Sequence, residues 1–186
     1  MIAEINEQVL RDYFARLDRL VAPGTELFVF GGASIALLGS KIRTTVDVDV
    51  AAPYSRVDMV SFKEASKLAG LPVNPGMGYQ GAYLEFVEER MLALPVQKRD
   101  EATVLFRGLN LTVITASESD LVASKLVRYN DKDRSDVQFL AGLGKVSPED
   151  VKASVARMSP RLRSDVLVAE NLSNLETDFM LWKEIS

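Results

Sequence analysis

Residues 26–50 read ELFVFGGASIALLGSKIRTTVDVDV, two strand-like patterns joined through a pair of glycines. The short apolar run at residues 26–30 predicts a buried strand. The Gly31-Gly32 pair and the apolar residues after it favour a tight turn into a short buried helix. Residues 45–50 alternate polar and apolar side chains, which predicts a second strand with one buried face.

The second strand carries two carboxylates on one face. Asp47 and Asp49 are two positions apart, so in a strand their side chains project the same way, roughly 7 Å apart at the backbone. Two like charges repel each other at this spacing, and a divalent cation bound between them replaces this repulsion with attraction to the cation. The simpler alternative is a strand with one solvated face, which turns Thr45, Asp47 and Asp49 outward.

The glycine pair is suited to binding an anion. An anion can approach the backbone N–H groups of Gly31 and Gly32 closely, and the helix that follows points its positive end to the same place. The hydroxyl of Ser34 is a candidate further donor. The alternative is that the two glycines only make a tight turn.

The composition restricts the chemistry. The chain has 186 residues, 22 Lys and Arg against 26 Asp and Glu, a net charge of −4, and neither Cys nor His. Thiolate nucleophiles, disulfides, imidazole bases and zinc sites built from Cys or His are therefore excluded. Oxygen ligands suit Mg²⁺, Mn²⁺ or Ca²⁺. The mild acidity argues against coating of nucleic acid by bulk positive charge, so any such contact has to be local.

The rest of the chain predicts a mixed α/β region followed by helices. The patterns are an amphipathic helix at 3–21, a helix at 55–69 opened by a capping box of Ser55 and Asp58, a loop at 74–81, a strand at 82–87, a hairpin at 103–106 and 109–114, a helix at 117–129, and helix starts at Ser147 and Ser159. We therefore expect an α+β fold with a mixed β-sheet flanked by helices in residues 1–115. Residues 116–186 are expected to form a helical region packed on that core.

The sequence shows no membrane or export signal. Acidic residues Glu4, Glu7 and Asp12 stand where a secretory signal needs a basic start and an unbroken apolar run. No segment approaches the ~20 apolar residues that span a bilayer. A cytoplasmic location is the expectation.

Two stretches together resemble a known superfamily. Within residues 28–50, a strand, Gly-Gly-x-Ser, Arg43-Thr44-Thr45 and an Asp-hydrophobic-Asp strand follow in order. This order resembles the nucleotidyltransferase superfamily, the DNA-polymerase-beta-like fold. Residues 120–137, DLVASKLVRYNDKDRSDV, are similar to the Lys-Leu … Arg-Asp-x-x-Asp stretch of a subgroup that includes abortive-infection-type toxins and many bacterial proteins.

The resemblance assigns roles to residues of the first stretch. It implies that Asp47 and Asp49 hold two Mg²⁺ or Mn²⁺ ions. It also implies that Gly31, Gly32 and Ser34 bind the triphosphate of a nucleotide. A third acid is expected from a neighbouring strand.

Glu85 is the candidate for that third acid, as a metal ligand or as the base for an attacking hydroxyl. A strand Glu that simply faces solvent is the alternative. Arg43 and Thr45 are expected at the nucleotide. Lys125 and Arg128 lie three apart on one helix, where they are expected to neutralise phosphate charge; solvated surface positions are the alternative.

The expected activity is transfer of a nucleoside monophosphate from a nucleoside triphosphate to a hydroxyl, with release of pyrophosphate. Such transfer needs neither His nor Cys. The acceptor is left open among transfer RNA, a protein side chain and a small molecule such as an aminoglycoside. Alternatives are a catalytically inactive module that binds nucleotides or a cognate antitoxin, and a metal phosphoesterase.

Overall fold

A computed structural model describes residues 4–185 of the chain, with side chains as far as Trp182. Its strands are β1 (Thr25–Phe30), β2 (Asp47–Ala51), β3 (Tyr83–Val87), β4 (Thr103–Arg107) and β5 (Leu111–Thr115). Its α-helices are α1 (Glu7–Asp18), α2 (Gly31–Leu37), α3 (Met59–Ala69), α4 (Glu118–Lys125), α5 (Asp131–Gly142), α6 (Pro148–Ala156), α7 (Pro160–Arg163) and α8 (Val166–Ile185). The α+β class with a helical C-terminal region is confirmed.

The five strands form one mixed sheet in the order β3-β2-β1-β5-β4. Strand β1 lies at the centre, antiparallel to β2 and parallel to β5, while β2 and β3 run parallel. The apolar run of β1 matches this position because a central strand is covered on both faces; Leu27, Phe28 and Val29 are almost fully buried. The order leaves β3 at one edge of the sheet.

The chain divides into two compact units. The first contains residues 1–92 and 102–116, with the sheet and helices α1–α3. The second contains residues 93–101 and 117–186, with helices α4–α8. The predicted domains 1–115 and 116–186 stay a prediction.

One face of the sheet carries the core of the first unit. Helices α1 and α3 cover this face, and their apolar residues cluster with Val48 and Val50 of β2 and with Leu84 of β3. Strand side chains alternate between faces, so residues 47, 49, 83 and 85 point to the opposite face. The predicted alternation is confirmed for residues 47–50. It is wrong at Thr45 and Val46, which precede β2: Thr45 pairs with Ile5 in an isolated bridge and is buried, whereas Val46 is only partly buried.

The predicted capping box at Ser55 is wrong. Helix α3 begins at Met59, and its cap is Asp58, whose carboxylate accepts a hydrogen bond from the Ser61 N–H. The Ser55 hydroxyl accepts from the Phe28 N–H and donates to the Ala51 carbonyl, each at 2.9 Å. Ser55 therefore ties the end of β2 to the middle of β1 and takes no part in the helix.

Other predicted helix bounds also shift. The helix predicted at 3–21 is α1, which begins after the Asn6 cap; residue 3 lies outside the described residues. The helix predicted to reach Tyr129 ends at Lys125, and Tyr129 has a positive φ of 50° that a helix does not accept. The helix starts predicted at Ser147 and Ser159 are confirmed, and the structure adds a capping box between Ser147 and Asp150. None of the helices in the described part of the chain has the length and apolar character that crossing a bilayer requires.

Asp18, the last residue of α1, fastens the turn between β4 and β5. Its carboxylate accepts hydrogen bonds from the backbone N–H groups of Leu109 (3.1 Å), Asn110 (2.8 Å) and Leu111 (2.7 Å). Burial by itself raises the pKa of Asp18, but the three backbone hydrogen bonds outweigh burial and lower the pKa below 3.8. The carboxylate therefore stabilises the fold in its ionised form.

The substitution Asp18→Asn should lower the free energy of unfolding at pH 7 by about 1 to 3 kcal/mol, because a neutral amide oxygen accepts these bonds more weakly. The folded-state pKa lies below the unfolded value of 3.8, so the contribution is complete above pH 3.8 and is lost as the pH falls through the folded-state pKa. Urea unfolding measured from pH 7 to pH 3 checks this. Asp12→Asn, an exposed acid on the same helix, is the control, and equal losses in the two variants contradict the assignment.

Candidate metal centre

Parallel pairing of β2 with β3 brings three carboxylates together. The register sets Asp47 beside Tyr83 and Asp49 beside Glu85. Asp47, Asp49 and Glu85 each offer one carboxylate oxygen, and these atoms all lie within 4.8 Å of one another. Among the residues that the structure describes, this is the one such group of three. The strand register thus supplies the third acid that the sequence left to a neighbouring strand.

The cluster is a concentrated negative charge. All three side chains are partly exposed, so water and ions reach them. Burial raises the pKa of the Tyr83 hydroxyl above its usual value, and the charges of Glu85, Asp47 and Asp49 raise it further. Three carboxylate oxygens at this spacing are the ligands that hard divalent cations prefer. The residues present therefore fit Mg²⁺ or Mn²⁺.

The glycine turn lies directly against the acidic strand. Gly31 has a positive φ of 66°, and a side chain built on it would collide with the Asp49 carboxylate. A side chain on Gly32 would collide with the Arg43 guanidinium and come within 3.2 Å of the Thr45 hydroxyl. Gly31 is required by its positive φ as well as by the approach of Asp49, whereas at Gly32 the atoms met first belong to the far end of the flexible Arg43 side chain. The glycine turn, strand β2 and the residues just before β2 thus meet at one place.

Thr45 and Ser34 have hydrogen bonds inside this region. The Thr45 hydroxyl lies 2.9 Å from Asp47 Oδ1 and donates to it. Ser34 is fully buried, and its hydroxyl donates to the Gly31 carbonyl at 2.9 Å. Ser34 therefore holds the glycine turn in shape, and direct contact of its hydroxyl with a nucleotide stays a prediction.

Lys125 and Arg128 belong to the second unit, where both meet acidic partners. Lys125 is only 6% exposed, and its Nζ lies 2.7 Å from Asp136 Oδ2 and 3.6 Å from Asp133 Oδ1. Arg128 is largely exposed and lies 3.1 Å from the same Asp133 oxygen. Lys125 is thus a member of a buried ion-pair group, unlike a solvated surface lysine. Contact of either residue with phosphate stays a prediction of the motif.

A cavity of about 310 Å³ lies beside β3 and reaches one of the three carboxylates, that of Glu85. Residues 74–79, Tyr83 and Glu85 line it. Tyr79 and Tyr83 were not among the residues for which the sequence predicted a function. The sequence did contain a signal that could have found them: Tyr79 is an aromatic residue in a glycine-rich loop, and Tyr83 is on the same strand face as Glu85.

One comparison with known proteins supports the same class of site. The model of the family described as nucleotidyltransferase of unknown function (DUF6036) matches residues 8–184. No curated protein and no solved structure matches the chain. The more specific likeness to the subgroup of abortive-infection-type toxins stays a prediction. The matched range takes in the glycine turn, the acidic strand and the Lys-Leu stretch, so the chain belongs to the DUF6036 family of nucleotidyltransferases.

Proposed function

We propose that this protein is a metal-dependent nucleotidyltransferase that moves a nucleoside monophosphate from a nucleoside triphosphate to a hydroxyl acceptor. The observation that carries the proposal is the group of Asp47, Asp49 and Glu85, three carboxylates within 4.8 Å on two paired strands. Membership of a nucleotidyltransferase family supports the same reaction class. Two further expectations rest on the sequence resemblance alone: that a cognate antitoxin is a partner, and that RNA is the acceptor.

The three carboxylates are proposed to hold Mg²⁺ or Mn²⁺. Bound ions supply positive charge that neutralises phosphate oxygens and makes the attacking hydroxyl more acidic. Asp47 and Asp49 stand on one rigid strand, and the Thr45 hydroxyl bonded to Asp47 Oδ1 helps to fix that carboxylate. Rigid placement matters because this transfer depends on alignment and electrostatics more than on covalent steps by the protein.

The triphosphate is proposed to lie against Gly31 and Gly32. Neither residue carries a side chain, which is why the Asp49 carboxylate and the Arg43 guanidinium come so close to the backbone there, and the triphosphate is proposed to lie beside these two groups. The guanidinium of Arg43 lies beside Gly32 and supplies positive charge at the same turn. The glycine turn thus joins a phosphate site to the metal-binding carboxylates.

Glu85 is proposed to act at the acceptor. It lies beside Asp49 in register, and it also lines the cavity next to β3. Its carboxylate is therefore placed both to share a metal ion and to accept the proton of an incoming hydroxyl. The two roles of Glu85 can be distinguished. If Glu85 is a metal ligand, its loss weakens metal binding; if it is only a base, its loss impairs transfer and leaves metal binding unchanged.

The substitution Asp47→Asn should abolish transfer of labelled nucleotide, with a loss of at least about a hundredfold, because the ion loses a charged ligand. Without metal the variant should melt at the same temperature as the wild type or higher, since one of three repelling charges is gone. Saturating Mg²⁺ or Mn²⁺ should stabilise the wild type by about 2.7 kcal/mol at a hundredfold excess over Kd and the variant much less. Glu88→Gln, an exposed acid after β3, is the control.

Calorimetric melting with and without metal, together with transfer of labelled nucleotide, separates the possible results. Full transfer by Asp47→Asn contradicts the metal assignment. Metal-dependent stabilisation of the wild type without transfer to any acceptor favours the inactive nucleotide-binding module. Release of nucleoside monophosphate into water without an acceptor favours a phosphoesterase.

A second substitution tests the close approach of the glycine turn. Gly31 and Gly24 both have positive φ, 66° and 82°, but only a side chain at Gly31 meets Asp49. Each change to alanine should cost about 1 to 3 kcal/mol of folding free energy from backbone strain. Gly31→Ala should in addition lose the metal-dependent rise in melting temperature and at least about tenfold in transfer, because the Asp49 carboxylate is displaced. Equal metal responses in the two variants show that the turn does not position Asp49.

A further inference from the structure

We infer that the cavity beside Glu85 is the acceptor site and that the acceptor is a small molecule bearing both a hydroxyl and a positively charged amine. This inference rests on the proposed function. The cavity measures about 310 Å³, which accommodates one small polar ring. Its lining by residues 74–79, Tyr83 and Glu85 sets the chemistry that it accepts.

The position of the cavity follows from the direction of the reaction. In phosphoryl transfer the attacking hydroxyl and the leaving pyrophosphate lie on opposite sides of the reacting phosphorus. The glycine turn that is proposed to hold the triphosphate follows β1, and β3 lies on the other side of β2 from β1. An acceptor opposite the pyrophosphate therefore enters from the β3 side, where the cavity and Glu85 are.

Hydrogen bonds to β3 hold one part of the cavity wall in place. Strand β3 is an edge strand, and residues 72–74 pair with its free edge. The Leu84 N–H donates to the Pro72 carbonyl, and the Asn74 N–H donates to the Leu84 carbonyl at 2.8 Å. The Phe86 N–H donates to Asn74 Oδ1 at 2.7 Å. Asn74 has a positive φ of 42°, a conformation that Asn tolerates better than most residues. The start of the loop, at Asn74, is thereby fixed on the strand that carries Glu85.

Two tyrosine rings form the aromatic part of the wall. The rings of Tyr79 and Tyr83 meet edge to face, with centroids 6.4 Å apart. A side chain on Gly81 would collide with the Tyr79 ring, so that ring packs directly on glycine backbone. Tyr79 remains about half exposed. A partly exposed tyrosine face attracts a cation.

The charge of the cavity selects the class of acceptor. Among the described residues that line it, Glu85 alone is charged, and none is basic. Three carboxylates, two divalent cations and a fully ionised triphosphate together still leave a net negative charge. A phosphate backbone needs Lys or Arg side chains to bind, so an RNA end is disfavoured here. An ammonium group is attracted by both the rings and the carboxylate.

The proposed reaction exchanges one bond at the α-phosphorus for another. The acceptor oxygen forms a bond to the α-phosphorus, and the bond from that phosphorus to the bridging oxygen breaks, so that pyrophosphate leaves with the electron pair. The hydroxyl proton leaves to water. The products are the nucleotidylated amine-bearing alcohol and pyrophosphate.

The test supplies the full chain with labelled nucleoside triphosphates, Mg²⁺ or Mn²⁺, and five acceptor pools from one cell extract. The pools are total RNA, total protein, and small molecules divided by ion exchange into cationic, neutral and anionic fractions. We expect label to move onto the cationic small molecules. Label on RNA, on protein or on the other two small-molecule fractions overturns this inference and leaves the proposed function standing. No label on any pool overturns both.

Substitution of Tyr79 tests the cavity itself. Tyr79→Leu should raise about tenfold the amount of cationic pool that gives half-maximal transfer, with the KM for the triphosphate unchanged, because only the acceptor loses an aromatic face. Tyr79→Phe should restore most of that loss. Leu68→Ala, an exposed change on α3, is the control. Equal effects of Tyr79→Leu on the acceptor and on the triphosphate overturn the assignment of the cavity.

Discussion

The in-register parallel pairing of β2 with β3 is the constraint on which the candidate site depends. It sets Asp49 beside Glu85, and the period of two in each strand keeps Asp47 on the same face. The core locks this register, because a shift of one residue would move Leu84 out of the core and turn Glu85 into it. The packing of one face of the sheet thus fixes the chemistry of the other.

The site concentrates features that cost stability. Three carboxylates within 4.8 Å repel one another, and Gly31 carries a backbone conformation that only glycine adopts without strain. The surrounding fold offsets these costs through the almost fully buried strand β1 and the helices packed on the opposite face. Conflict with local preference of this kind is typical of functional sites, where ligand binding relieves the penalty.

Local patterns predicted the elements well where one signal dominated. The alternation of β2, the glycine pair at the start of α2 and the start of α6 at Ser147 were all readable. The prediction at Ser55 was wrong because a serine hydroxyl serves a strand junction as readily as a helix cap, and only the neighbouring β1 backbone decides between them. Lys125 was ambiguous for a similar reason: its acidic partners are on α5, and a surface lysine has the same sequence signal.

The sequence by itself determined the set of available chemical groups: oxygen ligands without Cys or His, two carboxylates on one strand face, and a turn without side chains. These properties are local, since they follow from composition and from spacing within a few residues. Only the tertiary structure decided that β3 pairs with β2, that Glu85 completes the group, and that Tyr79 and Tyr83 form a cavity beside it. Strands pair through backbone hydrogen bonds that every residue type except proline can make, so the choice of partner depends on how the whole core packs.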